Sequence, residues 1–195
     1  VIEGLISPKE LSIQEKEPIN NSIISDKKIV LYSGSLLNVF GIQMLLDAFL
    51  KIRDKNYELW LCGPISESKT VIKYSKKDNR IKYLGFLGKD ELVKVRNDAT
   101  VLINPRPNEG EYVKYSFPSK TIEYLLSGKP VIMFKLAGIP EDYYDFIYFI
   151  DSYNEISISQ TIISICEKSE AELNTFGNRA KTFIREHKNS KVQVE

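Results

Sequence analysis

The start of one short predicted helix, within KYSFPSKTIEYL (114–125), carries a hydroxyl, an ammonium and a carboxylate close together. Ser119 and Lys120 follow Pro118, and proline is favoured in the first turn of a helix. A helix N-terminus suits an anion because of its free N–H groups and partial positive charge, and Lys120 adds a full charge. Glu123 lies one turn beyond Ser119 on the same face. The pattern fits either a phosphate at the helix end with a ribose on Glu123, or an ordinary capped helix with an exposed glutamate.

Two loops offer further candidate residues. Gly34 and Ser35 follow an apolar run, and small residues let a ligand approach the backbone closely. The segment GSLLNVFG contains neither GxGxxG nor a phosphate-binding Walker A loop, so a plain strand-to-helix turn is an alternative. The long loop 107–117 lies between the cation Arg106 and the helix start and contains Lys114. Loops of this length are commonly functional, although a solvated loop with balanced charges is the other interpretation.

Alternating strand and helix patterns position these candidates. Apolar, β-rich runs predict strands at 28–34, 57–63, 80–86, 100–106, 131–134 and 147–151. Helical spacings occupy 41–54, 66–78, 89–99, 118–127, 154–168 and 170–188, with a short turn or helix near 140–145. The alternation indicates parallel pairing, and strands apolar on both faces indicate helices on both sides. We therefore predict a Rossmann-like, doubly wound α/β domain, in which ligands bind at the carboxyl ends of the strands.

Length and charge limit the class of protein. The 195 residues suffice for one good-sized domain or two small ones, and 27 basic against 26 acidic residues argue against a nucleic-acid binder. No apolar run approaches the roughly 18 residues of a membrane span. The polar segment 1–27 is interpreted as a linker, 28–188 as the domain and 189–195 as a polar tail. The first residues have neither a signal-peptide pattern nor an initiator Met, so we expect a piece of a longer protein.

Cysteine and histidine usage excludes several chemistries. Cys62 and Cys166 lie far apart without metal-like partners, and Cys62, in the apolar run LWLCG, is interpreted as a buried thiol. Nothing indicates a disulfide framework, so a reducing, cytoplasmic setting is expected. His187 is the single histidine and stands in a polar tail, so we expect no zinc site and no Ser-His-Asp triad. No Asp-x-Asp cluster stands near the predicted ligand edge, so no metal is expected.

Five segments, in this order, resemble the C-terminal, donor-binding domain of GT-B glycosyltransferases. They are YSGSLLNVFGIQMLLDAF, LWLCGP, RIKYLGFLGKDEL, ATVLINPR and FPSKTIEYLLSGKPVIMFKLAGIPE. They are most similar to the retaining, family-4-like "glycosyl transferases group 1" of bacterial polysaccharide synthesis. The resemblance covers about residues 28–188, and its specificity lies in the ordered set, since no single segment carries it.

The resemblance implies a nucleoside-diphosphate-sugar donor, either a UDP- or a GDP-sugar, and no cofactor. Glu123 corresponds to the second glutamate of the family's E-x7-E motif, which holds the ribose, whereas the first falls at Tyr115. The family's Gly-Arg of the first loop is Gly34-Ser35 here, and its lysine is Phe40. The two usual diphosphate cations are therefore replaced.

The resemblance also suggests which residues substitute for them. Lys120, Arg106 and Lys114 are the candidate diphosphate cations, and Lys120 and Arg106 are the candidate stabilisers of the leaving group. Phe86 and Leu87 are expected to flank the base, mostly through backbone groups. No catalytic residue beyond these is assigned.

These observations favour the donor-binding half of a retaining glycosyltransferase. It would transfer a hexose-type sugar to a saccharide or lipid-linked acceptor in bacterial cell-surface polysaccharide synthesis. An N-terminal domain of the same full-length protein would bind the acceptor, so the chain alone is expected to be inactive. The full-length protein would lie in the cytoplasm, at the inner face of the membrane. The alternatives are a non-catalytic nucleotide-sugar-binding or subunit-interaction module, and a UDP-sugar 2-epimerase relative whose acid–base residues are not located.

Overall fold

A computed structural model describes residues 27–109, 117 and 119–188. The strands are β1 (Lys28–Ser33), β2 (Tyr57–Cys62), β3 (Ile81–Gly85), β4 (Val101–Asn104), β5 (Val131–Phe134) and β6 (Tyr148–Ile150). The helices are α1 (Ile42–Leu50), α2 (Lys69–Ser75), α3 (Lys89–Asp98), α4 (Ser119–Leu126), α5 (Glu155–Cys166) and α6 (Glu170–His187). Short 3₁₀ helices span Asn38–Phe40, Ile65–Glu67 and Glu141–Phe146.

The six strands form one parallel sheet in the order β3-β2-β1-β4-β5-β6. Lys28 pairs with Tyr57 of β2, and on the other side Val30 pairs with Val101 of β4. Helix α1 packs against α5 and α4 against α6, which gives two helical layers. The predicted Rossmann-like, doubly wound α/β fold is confirmed, and the strand order is the one expected for two halves joined at β1 and β4.

Apolar side chains from the sheet and the helices form the core. Strands β4 and β5 are buried along their whole length, as expected for central parallel strands with helices on both faces. The predicted stripe of α1 and its following turn is almost completely buried; it comprises Ile42, Leu45, Leu46, Phe49 and Ile52. Burial of each such side chain contributes roughly 1.5–3 kcal/mol.

The predicted helix at 66–78 is divided in two. A 3₁₀ turn at Ile65–Glu67 precedes α2, because the side chain and backbone of Ser68 both donate to the carbonyl oxygen of Ile65. The predicted linker 1–27, apart from Lys27, and the tail 189–195 lie outside the described residues, so these boundaries stay predictions. Within the described part of the chain, no helix is long and apolar enough to cross a membrane.

Candidate functional site

The switch point of the sheet lies between the carboxyl ends of β1 and β4. From β1 the chain runs outward to β2 and β3, then returns to place β4 on the other side of β1. Open α/β sheets bind ligands in the crevice that this reversal creates. Ser33 ends β1, Asn104 ends β4, and α4 begins at Ser119 on the connection from β4 to β5. The predicted residues at the ends of β1 and β4 and at the start of α4 therefore surround this crevice.

Lys120 extends from α4 across the end of β1. A Cβ atom built on Gly34 would lie 1.5 Å from Nζ of Lys120, and φ of Gly34 is +144°. Nζ donates to Oη of Tyr32 at 3.3 Å and lies 5.0 Å from the centre of that ring. Gly34 was expected to admit a ligand, and the structure shows that it admits the lysine side chain that would meet such a ligand.

Burial lowers the pKa of the Lys120 ammonium. The charges of Glu123 and Glu67 offset part of this effect, whereas Arg96 and Arg106 add to it. In the part of the chain that the structure describes, no carboxylate forms an ion pair with Lys120. A desolvated ammonium without a contacting carboxylate gains stabilisation when an anion binds beside it.

Arg106 is buried directly after β4. Its backbone N–H donates to Oδ1 of Asn104 at 3.4 Å, which closes the turn at the end of the strand. Its guanidinium is near enough to lower the pKa of Lys120. The two predicted leaving-group stabilisers are thus brought to the same crevice.

Glu123 forms an ion pair that sequence reasoning missed. Nη2 of Arg96, on α3, donates to Oε2 of Glu123 at 2.7 Å. The Arg96 side chain is 7% exposed and that of Glu123 is 51% exposed. About half of the Glu123 side chain therefore still faces solvent, where its carboxylate could accept hydroxyl groups. No local signal identified Arg96, because a polar helix such as KDELVKVRNDA gives no indication of which charged residue points inward.

The first loop is held by a second unpredicted carboxylate, Glu67. Its Oε2 accepts the hydroxyl of Ser35 at 2.7 Å and the backbone N–H of Leu36 at 2.7 Å. Glu67 belongs to the 3₁₀ turn that follows β2, whose carboxyl end adjoins that of β1. The available signal was a carboxylate shortly after the strand LWLCGP. Ser35 is therefore engaged by the protein itself.

Tyr124 joins α4 to the end of β1. The backbone N–H of Ser33 donates to Oη of Tyr124 at 2.9 Å, and this hydroxyl donates to the Ser33 carbonyl at 3.2 Å. Tyr124 is fully buried, and burial raises the pKa of its hydroxyl. These bonds fix the height of α4 above the sheet, and so the position of Lys120, one turn earlier.

The other predicted residues lie further away or outside the described chain. Ser119 is exposed at the first turn of α4. Phe86 is 77% exposed and Leu87 half-buried after β3, which is two strands and thus about 10 Å from β1. Lys114 and Tyr115 lie outside the described residues. The binding roles of all the predicted residues stay predictions.

Metal-ligating side chains do not cluster in the described residues: no three His, Cys, Asp or Glu side chains come together there. Cys62 is a free, buried thiol, as predicted, and Cys166 is another. Burial raises the pKa of Cys62 to about 11 and that of Cys166 to about 12, so neither is a reactive thiolate near neutral pH.

Solved structures of similar fold define the class of domain. Sucrose-phosphate synthase from Thermosynechococcus elongatus matches with a TM-score of 0.71 at 21% identity, covering 86% of this chain and 43% of that one. Anabaena HepE in complex with UDP and glucose matches with a TM-score of 0.68 at 17% identity, covering 97% and 50%. A glycosyltransferase from Rickettsia africae matches with a TM-score of 0.65 at 16% identity, covering 97% and 50%. This chain spans about half the length of these proteins, and its fold is that of one Rossmann-like half of a GT-B protein.

The family follows from the sequence itself. Residues 27–168 match the family described as "Glycosyl transferases group 1". Since these residues make up well over half of the chain, the chain belongs to that family, as the resemblance indicated. No curated protein matches the chain.

Proposed function

We propose that this domain binds the nucleoside-diphosphate sugar of a glycosyltransferase in the crevice between β1 and β4. The observation that carries the proposal is Lys120, whose partly desolvated ammonium lies against Gly34 at the switch point. A diphosphate placed there would meet the ammonium, the N-terminus of α4 and the guanidinium of Arg106. The same groups would stabilise the charge that develops on the departing diphosphate.

The rest of the donor would extend from this point along the crevice. The hydroxyl of Ser119 would donate to a phosphate oxygen, and Glu123 would accept the ribose hydroxyls on the carboxylate oxygen that Arg96 does not bond, Oε1. Phe86 and Leu87 would flank the base. Lys114 and Tyr115 would complete the phosphate side of the site.

The identity of the donor is proposed from similarity. Anabaena HepE has been solved with UDP and glucose and with UDP-glucose, which supports a UDP-sugar, with a GDP-sugar as the other choice. We propose retaining transfer of a hexose to a saccharide or lipid-linked acceptor in bacterial cell-surface polysaccharide synthesis. The N-terminal domain of the full-length protein would bind the acceptor, so this chain alone would bind donor without turnover. The full-length protein would work in the cytoplasm, at the inner membrane face.

Isothermal titration calorimetry tests the donor site. The chain is titrated with UDP, GDP, UDP-glucose and GDP-mannose, with AMP as the control for nonspecific nucleotide binding. We expect one diphosphate nucleotide and its sugar to bind and AMP not to bind. If none of the diphosphates binds, or if AMP binds equally well, the proposal fails.

The ribose role of Glu123 can be separated from its structural role. Glu123→Gln removes the charge that holds Arg96 and also weakens acceptance of ribose hydroxyls. If Glu123 binds the ribose, the wild-type chain prefers UDP to 2′-deoxy-UDP by about 10-fold, and the variant binds both alike. A variant that weakens both ligands equally would instead show that Glu123 acts only through Arg96.

A second function, a non-catalytic nucleotide-sugar-binding module, is favoured by the first loop. There Ser35 and Leu36 contact the carboxylate of Glu67, where the family resemblance implies cations. A transfer assay on the full-length protein distinguishes the two functions. Turnover of the bound donor supports the enzyme, whereas donor binding without turnover supports the module.

A further inference from the structure

Positive charge is concentrated at two grooves outside the crevice between β1 and β4. A groove of about 610 Å³ beside α2 is lined by Lys69, Lys73, Lys76, Lys77, Ile65 and Ile72, with Ser68. A second groove of about 650 Å³, at the amino ends of β1–β3, is lined by Lys27, Arg53, Lys55, Arg80 and Lys82, with Glu58, Asp78 and Asn79. Lys77, which lines the first groove, is followed in sequence by Asp78, which lines the second. They hold nine of the 27 basic residues but two of the 26 acidic ones, so a chain of net charge +1 carries a strongly basic surface in its described part.

The lysines of α2 are exposed and point the same way. Lys69, Lys73 and Lys76 are four and three positions apart, which places them on one helical face. None of them forms an ion pair within the described residues. The acids nearest in sequence are used elsewhere: Glu67 holds the first loop and Asp78 pairs with Arg80 at 2.7 Å. Among the described residues, the charge of this face is therefore not compensated by ion pairs.

An exposed apolar side chain stands among these lysines. Ile65 is 77% exposed at the end of α2 nearest the crevice, and Ile72 is partly exposed on the helix. A surface that lies on lipid headgroups typically has lysines around an exposed apolar side chain. The isoleucine would insert into the bilayer while the ammonium groups contact the lipid phosphates. A single-stranded nucleic acid would instead need stacking aromatics, and protein interface cores are depleted in lysine.

We propose that this face docks on an anionic lipid bilayer. We call it the α2 surface, and it comprises Ile65, Lys69, Lys73, Lys76 and Lys77. Flexible lysines need no fixed partner geometry, so a fluid layer of anionic headgroups matches them better than one rigid partner does. The proposal does not depend on nucleotide binding. It has one consequence for the site: Ile65 and Glu67 share one turn, so docking would hold the first loop close to the membrane.

Vesicle co-sedimentation tests the α2 surface with the chain as it is. The vesicles are phosphatidylcholine alone or phosphatidylcholine with phosphatidylglycerol, at low and at physiological salt. Each lysine at an anionic surface contributes about fivefold to partitioning, so Lys73→Gln with Lys76→Gln should weaken binding about 25-fold. Lys89→Gln with Lys94→Gln is the matched control, because these exposed lysines lie on α3 among Asp90, Glu91 and Asp98.

The expected result is salt-sensitive binding to anionic vesicles only, lost in the α2 pair and retained in the α3 pair. Ile65→Ser should weaken it further without changing the salt dependence. Circular dichroism melting of every variant verifies that the fold is unchanged. The proposal would be overturned if the chain did not bind anionic vesicles or bound neutral vesicles equally well. It would also be overturned if both double variants lost vesicle binding to the same extent. The same holds if polyglutamate or single-stranded DNA competes for the chain more strongly than anionic vesicles do. That result would favour a protein or nucleic-acid partner.

Discussion

Replacing Lys120 by methionine should weaken nucleotide binding while leaving the folded domain as stable as before. Methionine keeps an unbranched chain over Gly34 and against the rings of Tyr32 and Phe40, so the packing is retained. The substitution removes the amino group of Lys120, whose charged form is disfavoured by burial when no ligand is bound. Binding and stability are thus expected to respond differently to one substitution.

The size of each effect follows from the contacts. A hydrogen bond from an ammonium to a phosphate oxygen contributes about 1.5–3 kcal/mol, so affinity should fall about 10- to 150-fold. In stability, the lost bond to Oη of Tyr32 is offset by relief of the buried charge. The free energy of unfolding should therefore change by less than about 1 kcal/mol.

The pH dependence gives an independent readout. The pKa of Lys120 lies below its usual 10.5 in the folded protein, so between the two values the unfolded chain binds more protons. Stability of the wild-type chain should accordingly gain a contribution as pH rises through this interval, and Lys120→Met should lack it. A bound diphosphate favours the ammonium and raises its pKa, so nucleotide affinity should fall as pH rises above the lowered value.

Calorimetry with UDP or GDP and urea denaturation measure the two quantities. Lys129→Met is the matched control, because Lys129 is also half-buried with a lowered pKa but lies beyond the opposite end of α4. The control should bind nucleotide as the wild type does. If Lys120→Met binds with unchanged affinity, or if the control loses as much, the diphosphate assignment is wrong.

Three further substitutions test individual contacts of the fold and of the site. Gly177→Ala should destabilise the domain by about 1–3 kcal/mol in urea denaturation, because the new Cβ would lie 1.8 Å from the carbonyl oxygen of Gly128. Helix propensity alone would predict the opposite, since it favours alanine by about 1 kcal/mol. Tyr124→Phe should cost about 1–3 kcal/mol in thermal melts, since it leaves the buried N–H of Ser33 without its acceptor. Glu67→Gln should raise nucleotide affinity about two- to fivefold at low salt, since it removes a negative charge whose field reaches Lys120 while keeping an acceptor for the loop.

The first two substitutions have a control, and all three have a contrary outcome. Gly88→Ala, whose Cβ would meet nothing closer than 3.4 Å, should change stability by less than about 1 kcal/mol. Tyr57→Phe removes a hydroxyl bonded to the exposed Glu167 and should cost less than Tyr124→Phe. The contact of Gly177 with Gly128 is contradicted if Gly177→Ala is more stable than the wild type. The role of the Tyr124 hydroxyl is contradicted if Tyr124→Phe and Tyr57→Phe lose equal stability. The effect of the Glu67 charge is contradicted if Glu67→Gln binds nucleotide less tightly.

Local pattern was enough to predict the fold because burial imposes a period on each element. Apolar runs at 28–34 and 131–134 lie within a residue of β1 and β5, and the α1 stripe is buried as its spacing required. Boundaries depend on individual side chains, which is why the segment 66–78 was predicted as one helix and is divided at Ser68.

The candidate site was predictable only where its residues share one helix. Ser119, Lys120 and Glu123 could be grouped from sequence because the helical period places them together at one helix start. Arg96 and Glu67 could not be identified this way. The partner of Arg96 lies 27 positions away, and those of Glu67 lie 31 and 32 positions away, so the order of the strands alone brings them together.

The sequence by itself determined the alternation of strands and helices, the family and the group of polar residues that begins α4. Tertiary structure alone decided that Lys120 lies over Gly34, that Glu123 pairs with Arg96 and that the lysines of α2 form one uncompensated surface. The physical reason is that periodicity records which face of an element is buried, whereas electrostatic partners depend on which elements the sheet places side by side.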